Sequence, residues 1–223
     1  MPRTVRIYGM SRNLGVTPPP EPGVEVWLSN NESGYRQRLP RALDEWTRYF
    51  NFHSRQWIDK TYIQGSKWYK EHGQGRPIYM LKAWDDIPGS VAFPRETVQQ
   101  YFATPKGPNQ FFTFSGAWMT ALAIMEGFER IEYWGFALRD QKRPKERYEY
   151  ERPCFFYWVQ QARDRGIEVV YQEEIAKLPF VAGDPDTYDG LLYGYATRPE
   201  ADWDGPSGLW AFSKPELTHV NQS

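Results

Sequence analysis

Hydrophobic and polar positions alternate with period two in Val5-Arg6-Ile7-Tyr8, and the run stops at a small, polar stretch, Gly9-Met10-Ser11-Arg12-Asn13. This predicts a short strand followed by a turn whose backbone a ligand can approach closely. Val24 to Leu28 predicts a second strand ending in Ser29-Asn30-Asn31, reached through a stiff connector from Leu14 to Gly23 that carries Pro18, Pro19, Pro20 and Pro22. The spacing turns helical over Arg41 to Phe50, and again over Ile58 to Tyr69 with an interruption at Gly65. Pro77 to Leu81 reads as a buried strand, Ile87-Pro88-Gly89-Ser90 as a turn, and Pro94 as part of the first turn of a helix through Phe102.

The centre of the pattern is Phe111 to Phe136. An aromatic run ending at Phe114 predicts a strand, and the Ser115 hydroxyl is placed to cap a helix over Ala117 to Glu126. Gly127 then supplies the left-handed stop, and Ile131 to Trp134 predicts the next strand. That helix is apolar nearly all round, so it belongs inside a layered domain. Further on, Arg139 to Arg147 is charged and reads as a mobile loop. Pro153 to Arg165 reads as a helix stopped by Gly166, and Ile167 to Tyr171 as the last core strand. Strands alternating with helices predict an α/β domain of three layers with a mostly parallel sheet over residues 1–180. Residues 181–223, rich in Gly, Pro, Asp, Tyr and Trp without periodicity, read as an irregular C-terminal extension packed on it.

Parallel strands align their carboxyl ends, so the ends of the first two strands and of the one closing at Phe114 are expected to meet at one cleft. Gly9, Ser11, Arg12, Asn30, Ser115 and Gly116 would then surround one ligand. Glycine and unpaired backbone N–H groups suit a phosphate, and small polar side chains suit a ribose or base. The dinucleotide fingerprint is absent: Gly9 is alone in its turn, and Asn30 stands where an acidic residue is expected. A second group spans Leu138 to Arg152. There Asp140, Glu149 and Glu151 offer a base or a hold on a divalent cation, while Tyr150 and Arg152 are placed for a leaving phosphate.

Composition narrows the partners. Lys plus Arg (27) nearly cancels Asp plus Glu (28) in the 223 residues, which lacks the basic footprint of a nucleic-acid binder. Cys154 is the sole cysteine, so neither an intrachain disulfide nor a cysteine zinc site is expected. His53, His72 and His219 have no ligand-like neighbours in sequence and read as packing or solvated residues, and no metal site is expected. No segment has the pattern of a secretory signal or a membrane span, so the expectation is a soluble, cytoplasmic protein with no membrane partner. Ser115 is not a hydrolase nucleophile elbow, because Thr113 precedes it where glycine is required.

Phe114-Ser115-Gly116-Ala117-Trp118-Met119, then Ala121, Ala123-Ile124, Glu126-Gly127-Phe128 and Ile131 to Gly135 resemble the core motif of the bacterial sialyltransferases of glycosyltransferase family 42. They equally resemble the related DUF115 proteins, which include archaeal pterin pyrophosphokinases. The Gly9 to Asn13 turn and the strand ending at Asn30 match the same group's nucleotide-binding loops in order and spacing, and the resemblance covers about half the chain in patches. It implies a Rossmann-like domain binding a CMP-like nucleotide-sugar, with Gly135 joining the ligand-binding set. It also implies that Tyr148 and Tyr150 steady the leaving phosphate. Glu151-Arg152-Pro153-Cys154 stands where the family carries its general-base histidine, so Glu151 and Arg152 complete the catalytic set. The alternatives are a Mg2+- and ATP-dependent pyrophosphokinase, or a nucleotide- or protein-binding module without turnover. The Ile87 to Ser90 turn and Tyr193-Gly194-Tyr195 also resemble bacteriophage-encoded members, which implies a host cytoplasm.

Overall fold

The computed structural model describes residues 1–9, 18–30, 35, 42–61, 64–73, 75–136, 138, 146–172, 175, 178, 180–185 and 192, with backbone alone at 61 and 146–150. Seven strands form an all-parallel sheet: β1 (Thr4–Tyr8), β2 (Glu25–Ser29), β3 (Arg48–Asn51), β4 (Ile78–Met80), β5 (Ser90–Ala92), β6 (Arg130–Trp134) and β7 (Glu168–Tyr171). Among the described residues the helices are α1 (Ala42–Glu45), α2 (Arg55–Thr61), α3 (Lys67–His72), α4 (Arg95–Tyr101), α5 (Ser115–Met125) and α6 (Glu146–Arg163). The arrangement is α/β and Rossmann-like. Its spatial order is β5-β4-β3-β2-β1-β6-β7, so the chain walks outward from β1 to β5 and α5 carries it back to lay β6 on the other side of β1. Connections leaving β1 and β6 therefore run to opposite sides, which makes their carboxyl ends the topological switch point of the sheet.

Side-chain alternation divides the interior in two. On one face Val5, Ile7, Trp27, Phe50, Ile131 and Tyr133 pack with residues of α4, α5 and α6. On the other, Tyr8, Val26, Leu28, Tyr49, Ile78 and Met80 pack with Ala42, Ile58, Trp68 and Tyr69 of α1 to α3. Helix α5 is buried from Ser115 through Ile124, as its lack of a polar face requires. Its end is a Schellman turn: Gly127 at φ 75° donates to Ile124 O, and Phe128 N–H donates to Ala123 O.

Several expectations need correction. The helical spacing over Arg41 to Phe50 yields only α1, and Arg48–Asn51 is strand β3, because Tyr49 and Phe50 are claimed by opposite faces of the sheet. Phe111 to Phe114 is not a sheet strand; Phe112 makes one parallel bridge to Leu192. Side chains take up the run's backbone groups instead. Phe111 N–H donates to Asn109 Oδ1 (2.9 Å), Phe111 O accepts from Trp158 Nε1 (2.9 Å), and Thr113 N–H points at Cys154 Sγ (3.5 Å). Strand β5 went unforeseen, since three residues with Val91 exposed show no alternation. Helix α6 begins at Glu146, and Pro153 lies inside it rather than at its start. Residues 139–145, Tyr193 to Tyr195 and most of 181–223 lie outside the described residues.

Candidate functional site at the carboxyl edge of the sheet

Strand β1 hands over to Gly9, whose N–H donates to Trp134 O (2.7 Å) and prolongs the β1–β6 ladder by one residue. A Cβ on Gly9 would stand 2.6 Å from Gly135 O, so only glycine lets the two chain segments leave the sheet this close together. Gly135 turns with φ 72°, and its own N–H is taken by Oε1 of Gln172 (2.8 Å), a buried side chain directly after β7. Gly135 thus shapes the edge, while its amide is spent on the protein.

Asn30 follows β2 with φ 68°, a left-handed conformation that asparagine tolerates better than most residues. Hydrogen bonds on both sides of its peptide unit fix it. Its N–H donates to Phe50 O (2.9 Å), and its carbonyl accepts from the Tyr69 hydroxyl (2.7 Å) and from Asn51 Nδ2 (3.4 Å). Asn51 Nδ2 also donates to the Tyr69 hydroxyl at 2.6 Å. The Tyr35 hydroxyl donates to Tyr8 O (2.7 Å) and accepts from Ser29 N–H (3.1 Å), bolting the end of β1 to the end of β2. Burial pushes the Tyr35 hydroxyl up to about 12, so it remains a neutral donor throughout the physiological range.

Ser115 opens α5. Its hydroxyl does not cap the helix: Phe114, extended at φ −160°, is the capping residue, and Ser115 Oγ donates to Asn30 Oδ1 at 3.1 Å. This bond joins the end of β2 to the amino end of the buried helix. The first turn of a helix leaves N–H groups without intrahelical partners of the usual kind; here Ala117 N–H turns back to Phe114 O (3.1 Å), and the buried Ser115 and Gly116 lie next to the Asn30 amide. One turn on, the Thr120 hydroxyl meets Gly116 O and the Tyr133 hydroxyl, both at 2.7 Å, which locks the turn against β6. Burial raises the Tyr133 hydroxyl well above its ordinary range.

Gly116 is required by aromatic packing. A Cβ there would lie 2.4 Å from Phe114 Cε2 and 2.9 Å from Phe136 Cε1, and a Cβ on Gly9 would lie 3.1 Å from Phe136 Cγ. The half-buried Phe136 ring is therefore wedged between the two glycines, backed by Phe155 with centroids 6.1 Å apart. Arg152 reaches the same edge from α6. Its Nη2 and Nε both donate to Leu138 O, at 3.0 and 3.3 Å, and among the described residues it meets no carboxylate. Glu151, beside it, is buried. Tyr148 and Tyr150 lie on α6 rather than in a loop, with side chains outside the described residues, as are Ser11, Arg12 and Asp140 altogether.

Gly9, Asn30, Ser115, Gly116 and Gly135 thus share one edge, with Arg152 held to the chain two residues past Phe136. The bracing residues Tyr35, Tyr69, Asn51, Gln172 and Phe136 were missed from sequence. Asn51 and Gln172 carried a readable signal, being polar residues at the close of apolar strand runs. The tyrosines carried none, because a hydroxyl anchored to a distant carbonyl looks in sequence like any other aromatic. His53 is buried after β3 and stacks on Trp57, and His72 stacks on Trp68 with Nδ1 at 2.9 Å from Trp68 O. Among the described residues no group of three or more His, Cys, Asp or Glu is placed to hold a metal, and no helix is long and apolar enough to cross a membrane.

The class defined by these features is a Rossmann-like α/β chain with small and polar residues gathered at its topological switch point. No family model, curated protein or solved structure matches the chain.

Proposed function

We propose that the carboxyl edge of the sheet binds the phosphate of a nucleotide, and that the chain acts as a glycosyltransferase-like enzyme on a nucleotide-activated donor. The observation that carries the reading is the Ser115–Asn30 hydrogen bond, which sets two small polar groups beside the amino end of a helix buried from Ser115 through Ile124. The amino end of a helix favours an anion through both backbone hydrogen bonding and the helix dipole. Arg152 supports it as a half-buried guanidinium with a carbonyl, and no carboxylate, for company among the described residues. In glycosyl transfer negative charge grows on the departing phosphate as its bond to the sugar breaks, and a fixed guanidinium next to helix N–H groups would stabilise that charge. The choice of nucleotide-sugar over other nucleotides comes from the sequence resemblance.

The test is thermal unfolding with CMP, a CMP-sugar, UDP and ATP at about 1 mM, followed by product analysis. A nucleotide present at about 100 times its Kd adds about 2.7 kcal/mol, which for a chain of this size raises Tm by about 5–10 °C. Asn30→Asp keeps an oxygen for Ser115 to donate to but places a carboxylate at the anion, so affinity is expected to fall at least about tenfold with the fold retained. No shift with any of the four would refute the reading. Binding without product would leave a nucleotide-binding module and remove the transferase.

A further inference from the structure

We draw no further inference here: the strongest candidate, the apolar patch at the β7 end of the sheet, where Arg163 lies over both Tyr171 and the exposed Phe180 and Val181 follows in sequence, carries nothing because nothing in the structure shows what covers it.

Discussion

At the scale of single residues, the carboxyl edge of the sheet is built by side chains that hold backbone ends. Tyr35 is the clearest case: one buried hydroxyl satisfies both Tyr8 O and Ser29 N–H, on adjacent strands. Tyr35→Phe leaves a buried donor and a buried acceptor unpaired, so a loss of about 1–3 kcal/mol is expected in urea unfolding. An unchanged midpoint would mean that water replaces both bonds. The pH dependence follows from the raised hydroxyl: the folded state prefers the neutral form, so its contribution is complete below the ordinary value of 10 and is lost as pH rises through about 12. None of this was legible beforehand, because Tyr35 sits among polar residues with nothing local to mark its partners. Gly9 and Asn30, by contrast, were legible as a glycine and an amide closing apolar strands.

At the scale of elements, α5 carries the most consequence. Its burial and its glycine stop followed from composition, and both are seen. Its beginning did not follow. A serine ahead of an apolar run is ordinarily a cap, yet Ser115 is the first helical residue and its hydroxyl serves another strand. Gly116 shows the same limit, since the space it leaves open is filled by Phe114 and Phe136 from elsewhere in the fold. Gly116→Ala therefore costs about 1–3 kcal/mol by overpacking. Pairing it with Phe136→Ala should recover part of that loss, as a thermal double-mutant cycle would show. Strictly additive losses would place the two residues out of contact.

At the scale of the whole molecule, the sheet's two faces differ in chemistry. Across β1, β6 and β7, on the face turned away from α5 and α6, a charged ladder runs from Arg6 to Glu132 (2.8 Å), Glu132 to Arg130 (2.8 Å) and Arg130 to Glu168 (2.7 Å). Arg6 and Glu132 are nearly sealed, with side chains 3% and 7% exposed, and Arg6 also donates to Glu21 and to Pro19 O of the proline connector. Burial works against the Glu132 charge, but hydrogen bonds from Arg6 and Arg130 outweigh it and hold the carboxyl below its ordinary 4.5. A lowered carboxyl stabilises the fold above that value and loses the contribution as pH falls below it. Glu132→Gln is expected to cost about 1–3 kcal/mol at pH 7, since Arg6 keeps Glu21 and Arg130 keeps Glu168 but each loses its bond to a buried carboxylate. The difference from wild type should shrink steadily on acidification below about pH 4.5; a gap that stays constant would show that the charge on Glu132 contributes nothing.

Local chemistry alone determined that this chain alternates strands with helices, that an all-apolar helix lies at its centre, and that glycine and small polar residues close the first two strands. These are properties of short windows, where periodicity, stop residues and terminal groups act within a few positions. Only tertiary structure decided that Arg48–Asn51 is a strand, that the Phe111 to Phe114 run stands outside the sheet, that Ser115 answers Asn30, and that Arg152 holds Leu138. Each of those depends on partners far away in sequence. A peptide group or side chain has several comparable local options, and whichever one satisfies its hydrogen bonds and burial together is chosen by what the rest of the chain brings alongside.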